Sequence, residues 1–137
     1  MSRADKLRVF MQIADKIGEL STCPRKAVGA VIIRDGRCIA WGYNGAPPGL
    51  PHCDHERDEP CTNATHAEAN AICFAAKQGI STDNSILLVS VSPCKECARL
   101  LIAAGISEVY YREEYRDPRG ILLLRLADID TFHVFDV

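Results

Sequence analysis

A chain of 137 residues with 47% hydrophobic and 25% charged residues has the composition of an ordinary globular protein, so we expect a single domain over residues 1–137. The formal net charge of −2 excludes a globally basic surface for nucleic acid, and no apolar run is long enough to cross a membrane. The first twenty residues lack the apolar stretch of a secretory signal, which favours the cytoplasm. There, seven cysteines indicate metal or redox chemistry rather than disulfides.

The first part of the chain predicts a helix followed by a hairpin. Apolar residues recur at three- and four-residue spacing in 3–20, which is typical of an amphipathic helix. The runs at 28–34 and 37–42 flank the turn pair Asp35-Gly36, which predicts two antiparallel strands. Residues 43–63 are rich in proline, glycine and polar side chains. A loop of that length in a compact domain is usually functional or held in place by something.

The second part of the chain alternates helices and strands. Helix signals and buried apolar runs predict helix 65–78, strand 85–91, helix 94–104, strand 108–111, helix 119–127 and strand 131–134. Helices separate the strands after the hairpin, so the fold class predicted is α/β, with a five-stranded mixed sheet and helices on both faces.

Two motifs place polar side chains at the starts of predicted helices. His66 and Glu68 open one helix, and Cys94 and Cys97 open the next. Residues two apart point about 200° apart in the middle of a helix, but in its first turn both can point past the end into one cavity. Helix N-termini also lower the pKa of thiols. Two thiolates and one imidazole leave one position of a tetrahedral zinc ion open, as in catalytic sites.

The open position predicts hydrolytic chemistry. Zinc would acidify a water molecule there, and Glu68 would be the base that takes its proton rather than a metal ligand. Attack on an amidine-like carbon would then release ammonia. The Cys-x-x-Cys pair alone fits a structural zinc knuckle or a redox pair as well as a catalytic site, and the His-x-Glu pair alone indicates little. Both in this order match the zinc-deaminase signature.

These motifs resemble those of the deoxycytidylate (dCMP) deaminases of the cytidine deaminase superfamily, and are close to those of the bacterial and phage enzymes. Besides HAEANAI and SPCKECARLLIAAGI, VGAVI at 28–32 and GYNGAPPG at 42–49 are similar, and the similarity runs from about residue 23 to residue 134. The resemblance implies a three-layer α/β/α cytidine deaminase-like fold and the zinc-dependent deamination of dCMP to dUMP. It also implies a homo-oligomer, often a hexamer, that dCTP activates and dTTP inhibits.

The segment GYNGAPPG and its neighbours are expected to bind the nucleotide. From the residues alone, this segment fits either an anion-binding concavity or a plain turn. Arg25 and Lys26 either add positive charge near a nucleotide or form a solvated face, and Tyr115 either packs near the nucleotide or is an exposed loop tyrosine. The resemblance implies substrate contacts by Asn44 to the sugar or phosphate, the N–H of Ala67 to the pyrimidine O2, the carbonyl of Ser92 to the exocyclic amine, and Tyr115.

Three further residues have structural interpretations. Cys38 lies in a strand pattern and Cys73 in a helix pattern, where thiols commonly act as small buried hydrophobes, so we expect both in the core. His133, on an apolar terminal strand, is expected to be a structural histidine with a hydrogen-bond partner.

The remaining cysteines favour a second, structural zinc. Cys23, Cys53 and Cys61 with His55 would close a tetrahedral site and pin the long loop to the end of the first helix. His52 competes for the fourth position, and three incidental loop cysteines are the alternative. Some members of the resembled family hold a second zinc with Cys23 and Cys53 at matching places, whereas Cys61 and His55 are inferred from this chain.

Two other functions remain open. The chain fits an enzyme of the same fold that acts on cytidine, guanine, tRNA adenosine or a modified dCMP, although the charge balance gives no hint of a polynucleotide groove. It also fits a zinc-binding interaction module that has lost catalysis. Glu68 argues against that module, because a purely structural site has no use for a proton shuttle.

Overall fold

The computed structural model describes residues 2–52, 54–57 and 63–134. Every predicted helix and strand is present there, with ends that differ by at most two residues. The elements are α1 (Arg3–Gly18), β1 (Gly29–Arg34), β2 (Arg37–Tyr43), α2 (Ala67–Lys77), β3 (Ser85–Val91), α3 (Lys95–Ala103), β4 (Ile106–Glu113), α4 (Arg119–Leu126) and β5 (Asp130–His133).

The strands form one five-stranded mixed sheet in the order β2-β1-β3-β4-β5. Strand β1 pairs antiparallel with both β2 and β3. Strand β4 pairs parallel with both β3 and β5. Strand β3 is therefore the central strand, where the antiparallel and parallel halves of the sheet meet, and the predicted mixed sheet is confirmed.

Helices cover both faces of the sheet. On one face, Met11 and Ala14 of α1 pack against Val31 and Leu88 of the sheet. On the other face, apolar residues of α2, α3 and α4 form a larger core with the sheet; they include Ala71, Leu101, Leu124, Leu87 and Val109. The three-layer α/β/α architecture is confirmed. Within the described ranges, no helix combines the length and the apolar character needed to cross a membrane.

The prediction that Cys38 and Cys73 lie in the core is wrong, because both are exposed. Ile32 pairs with Ala40 and Ile33 with Cys38, so a bulge at Ile39 shifts the register of the hairpin. That shift moves Cys38 away from the face that Ala40 shares with α2. Cys73 lies about 200° around α2 from the buried Ala71, on the solvent side.

The prediction for His133 is confirmed. The Nε2 atom of His133 lies 2.7 Å from the carbonyl oxygen of Arg112, and its ring stacks on Tyr111 with 4.9 Å between ring centroids. The histidine therefore joins the end of β5 to β4 and takes no part in the site described next.

Candidate active site and metal centre

Two helix N-caps meet at the end of the sheet where β3 finishes. His66 is the N-cap of α2 and Cys94 is the N-cap of α3, and both have extended backbone angles. An N-cap residue stands half outside its helix, so its side chain can reach beyond the helix end. The structure thereby directs the imidazole of His66 and the thiols of Cys94 and Cys97 toward one another.

The distances among these three side chains suit a tetrahedral metal ion. The Nδ1 atom of His66 lies 3.5 Å from the Sγ atom of Cys94 and 3.3 Å from the Sγ atom of Cys97. All three ligand atoms lie within 4.8 Å of one another. Zinc bonds of about 2.3 Å to sulfur and 2.0 Å to nitrogen would place tetrahedral ligand atoms about 3.5–3.8 Å apart. The donor set and its spacing therefore fit zinc.

The three ligand candidates leave one side of the centre open. Cys97 is buried, Cys94 is half-buried and His66 is exposed. Over the part of the chain that the structure describes, the group contains no fourth Cys, His, Asp or Glu side chain. A tetrahedral ion held here would keep one position for a small molecule, which is the property of a catalytic rather than a structural zinc.

The two thiols and the imidazole are close enough for their hydrogen bonds to shift one another's pKa values. A hydrogen bond from the Cys97 side chain, with further help from His66, lowers the pKa of Cys94 to about 3. The same hydrogen bond, together with burial, raises the pKa of Cys97, and the bond to Cys94 raises the pKa of His66. Binding a metal would release the protons that the thiols and the imidazole still hold.

Glu68 lies in the first turn of α2 and is only 4% exposed. Burial raises the pKa of its carboxyl from 4.5 to about 7, against the lowering effects of its own backbone N–H and of His66. A carboxyl group with a pKa near neutrality can both accept and donate a proton at physiological pH.

A cleft of about 650 Å³ opens in front of these groups. Parts of the cleft wall come from the segment before β1, the loop after β2, the first turn of α2 and the ends of β3 and β4. The wall includes the four residues that the resemblance assigns to the substrate, Asn44, Ala67, Ser92 and Tyr115. Their substrate contacts stay predictions, but their positions around the cleft are compatible with them.

Hydrogen bonds fix two of these four residues in the wall. The Oδ1 atom of Asn44 accepts from the N–H of Val28 at 2.8 Å, and its Nδ2 atom donates to the carbonyl of Lys26 at 2.5 Å. The carboxamide has a second N–H that a ligand could use. The Oγ atom of Ser92 accepts from the N–H of Tyr115 at 2.6 Å, which ties the loop after β4 to the end of β3.

The cleft is lined by more cations than the sequence predicts. Besides Arg25 and Lys26, the wall contains Arg57 and Arg116. Of these cations, Lys26 already forms an ion pair with Glu113, with 2.6 Å between its Nζ atom and a carboxylate oxygen of Glu113. Arg116 directly follows Tyr115, and this proximity is the only signal in the sequence that could have identified it.

Two glycines allow the close packing around the centre. A Cβ atom on Gly42 would lie 2.6 Å from the carbonyl oxygen of Ala67 and 2.7 Å from the N atom of Ala71. A Cβ atom on Gly120 would overlap the carbonyl oxygen of Pro93. Strand β2 and helix α4 therefore contact the two helix starts through bare backbone, which requires glycine at both positions.

The structure brings together two of the four residues predicted for a second zinc. The Sγ atom of the buried Cys23 lies 3.8 Å from the Nε2 atom of His55. His52, the competitor, instead places its Nδ1 atom 3.4 Å from the hydroxyl of Thr22. Cys53 and Cys61 lie outside the described residues, so the second site stays a prediction.

Comparisons with known proteins agree with this geometry. Residues 4–113 match the family model of the cytidine and deoxycytidylate deaminase zinc-binding region. ComE operon protein 2 of Bacillus subtilis is 42% identical over 120 residues, which cover 85% of this chain but only 64% of that protein. The deoxycytidylate deaminase of Mycobacterium phage D29 is 34% identical over 129 residues, covering 83% of this chain and 99% of the phage protein.

A solved structure extends the agreement to the whole described fold. The dCMP deaminase of cyanophage S-TIM5, crystallised with dCMP and dUMP, matches with a TM-score of 0.90 and 34% identity, covering 98% of this chain and 99% of the phage chain. The match to the family model covers both helix starts that hold His66, Glu68, Cys94 and Cys97. The chain therefore belongs to the cytidine and deoxycytidylate deaminase family.

Proposed function

We propose that this protein is a zinc-dependent dCMP deaminase, which converts dCMP and water to dUMP and ammonia. The observation that carries the proposal is the convergence of His66, Cys94 and Cys97 beside the buried carboxyl of Glu68, with no fourth ligand side chain among the residues that the structure describes. The family assignment and the likeness to a phage enzyme crystallised with dCMP and dUMP support it.

Glu68 is the proton carrier in the proposed mechanism. Zinc held by His66, Cys94 and Cys97 supplies Lewis acidity, which makes a water molecule a better nucleophile at neutral pH. Glu68 removes a proton from the attacking water and delivers it to N3 of the pyrimidine as the oxygen adds to C4. Glu68 then takes the second proton of that oxygen and gives it to the departing amine. The C4–N4 bond breaks and ammonia leaves, with Glu68 unchanged.

Backbone groups and the cations of the wall position the nucleotide. The N–H of Ala67 at the start of α2 suits the pyrimidine O2, and the carbonyl of Ser92 suits the exocyclic amine. Arg25, Arg57 and Arg116 line the same cleft. They suit a phosphate group, because one guanidinium group can donate two parallel hydrogen bonds to two oxygens of the same phosphate. We therefore propose a nucleotide rather than a nucleoside as the substrate.

Four broader features belong to the same proposal. We propose one domain over residues 1–137, a cytoplasmic location, and a homo-oligomer, with a hexamer as the first size to test. We further propose dCTP and dTTP as an activating and an inhibiting effector. Light scattering of the purified protein, with and without each effector, measures its molar mass in solution and so tests the oligomeric state.

We also propose the second, structural zinc held by Cys23, Cys53, Cys61 and His55. The approach of Cys23 to His55 supports it, since the two belong to different loops and meet through their ligand atoms. A metal at this position would tie the loop after β2 to the end of α1, and this tie would keep Arg57 at the cleft.

A substrate panel tests the proposed reaction. Ammonia release should be fastest, by kcat/KM, with dCMP among dCMP, CMP, deoxycytidine, cytidine, dCTP, a 5-substituted dCMP and an RNA hairpin. Loss of the phosphate should lower kcat/KM about 100-fold, because charge-assisted bonds to arginine are lost. Faster turnover of cytidine or of the hairpin would contradict the assignment, and faster turnover of the 5-substituted nucleotide would correct the substrate.

Replacing Glu68 by Gln tests the proton carrier. The variant should keep the zinc content of the unchanged protein, because the ligands remain, while kcat falls by about 10² to 10⁴ for lack of a general acid–base. Metal analysis and ammonia release give the two readouts. Glu96→Gln is the matched control, since Glu96 is an exposed acid in the first turn of α3 and its loss should leave kcat within about twofold. Unchanged turnover in Glu68→Gln would remove Glu68 from the mechanism.

Counting zinc per chain tests the structural site. The unchanged protein should bind two zinc ions per chain, and Cys53→Ala should bind one, because a site that has lost one of four ligands holds its metal more weakly. Cys38→Ala serves as the control, since it removes an exposed thiol from a strand and should leave the count at two. One zinc per chain in all three proteins would refute the second site.

A further inference from the structure

A polar side chain stands in the apolar run of α2, one helical turn after His66. Asn70 is half-buried, and its Nδ2 atom lies 2.7 Å from the carbonyl oxygen of Tyr43 and 3.2 Å from that of Thr65. The carbonyl oxygen of Gly45 lies 3.5 Å from the same atom. The carboxamide of Asn70 therefore gathers three carbonyl groups from two separate segments around one donor nitrogen.

The three carbonyl groups flank residues of the site. Tyr43 and Gly45 stand on either side of Asn44, and Thr65 directly precedes His66. Gly45 and Thr65 also form an isolated antiparallel bridge, in which the N–H of Gly45 donates to Thr65 at 3.1 Å and the N–H of Thr65 donates to Gly45 at 2.8 Å. The loop that carries Asn44 is thus joined to the segment that carries His66.

The connection continues from Asn44 to the start of β1. The backbone N–H of Asn44 donates to the carbonyl of Val28 at 3.2 Å, and its side chain bonds to Val28 and Lys26 as described above. The carbonyl of Asn44 accepts from the hydroxyl of Ser21 at 2.7 Å. One hydrogen-bonded network therefore runs from the interior of α2, through the loop 43–45, to the segment that carries the cations before β1.

We propose that Asn70 is a positioning residue that fixes the cleft wall formed by the loop 43–45 relative to the metal-binding end of α2. An amide side chain suits this task, because its NH₂ group donates two hydrogen bonds and carries no charge that would disturb a neighbouring anionic nucleotide. Without it, the carbonyls of Tyr43 and Gly45 lose a partner inside the protein, and the loop is free to turn them toward water. The part of the proposal that concerns the nucleotide rests on the proposed function.

Asn70→Ala tests the proposal without reference to any substrate. The amide protons of Gly45 and Thr65 should exchange with solvent at least about tenfold faster than in the unchanged protein, because the bridge between them loses its side-chain support. Zinc content should stay the same, because all three metal ligands remain. Gln78→Ala, an exposed amide at the end of the same helix, is the matched control and should leave these exchange rates unchanged.

Binding and kinetics test the consequence for the nucleotide. Asn70→Ala should weaken dUMP binding, measured by calorimetry, by about tenfold and raise KM for dCMP similarly, with kcat falling less than about threefold. In the double variant with Asn44→Ala, the loss should be smaller than the product of the single losses, because both changes act on the same loop. Asn70→Leu keeps the side-chain bulk while removing both donors, so it replaces Asn70→Ala if the alanine variant does not fold.

The outcomes separate this proposal from the proposed function. Unchanged exchange at Gly45 and Thr65 in a folded variant would overturn the positioning role, whatever the substrate. Faster exchange with unchanged dUMP affinity, in a protein that turns over dCMP, would overturn the link from Asn70 to the nucleotide. Absence of dCMP turnover in the unchanged protein would refute the proposed function and leave the exchange result to decide the positioning role.

Discussion

The site depends on one constraint, that the N-termini of two helices meet at the same end of a central strand. Helix α2 has 11 residues and β3 has 7, so they span about 16 Å and 23 Å. The chain runs away from this end along α2, returns along β3, and enters α3 beside the place where α2 began. His66 and Cys94 therefore meet although 28 positions separate them. Helix N-termini favour the thiolates and the carboxylate that gather there, and a bound cation would offset the cost of burying a carboxyl beside thiols.

Close backbone packing keeps the two helix ends in place. Gly42 of β2 lies against the first turn of α2, and Gly120 of α4 lies against the peptide that links Pro93 to Cys94. A larger side chain at either position would push a helix start away from its partner. The loop 43–45 then takes its position from α2 through Asn70. His66, Glu68 and the loop 43–45 therefore all take their positions from the first turns of α2, and Cys94 and Cys97 take theirs from the start of α3.

Those parts of the site that depend on local sequence could be predicted. The spacing of His66, Glu68, Cys94 and Cys97 at helix starts is a local pattern, and the structure brings the three metal-ligand candidates together. What could not be predicted depends on contacts between distant segments. The bulge at Ile39 reverses the side on which Cys38 lies, and the arrival of Arg57 at the cleft requires the path of the long loop. The packing of Gly120 likewise follows from the position of α4 and not from its own sequence.

A crystal structure of the zinc-loaded protein, at a resolution that places water molecules, would show whether the two helix starts hold a metal ion with one position open to solvent. We expect zinc bound by His66, Cys94 and Cys97, with a water molecule in the fourth position. A carboxylate oxygen of Glu68 should lie about 2.6–3.2 Å from that water. A protein atom in the fourth position, or a Glu68 carboxylate directed away from the water, would contradict the proposed mechanism.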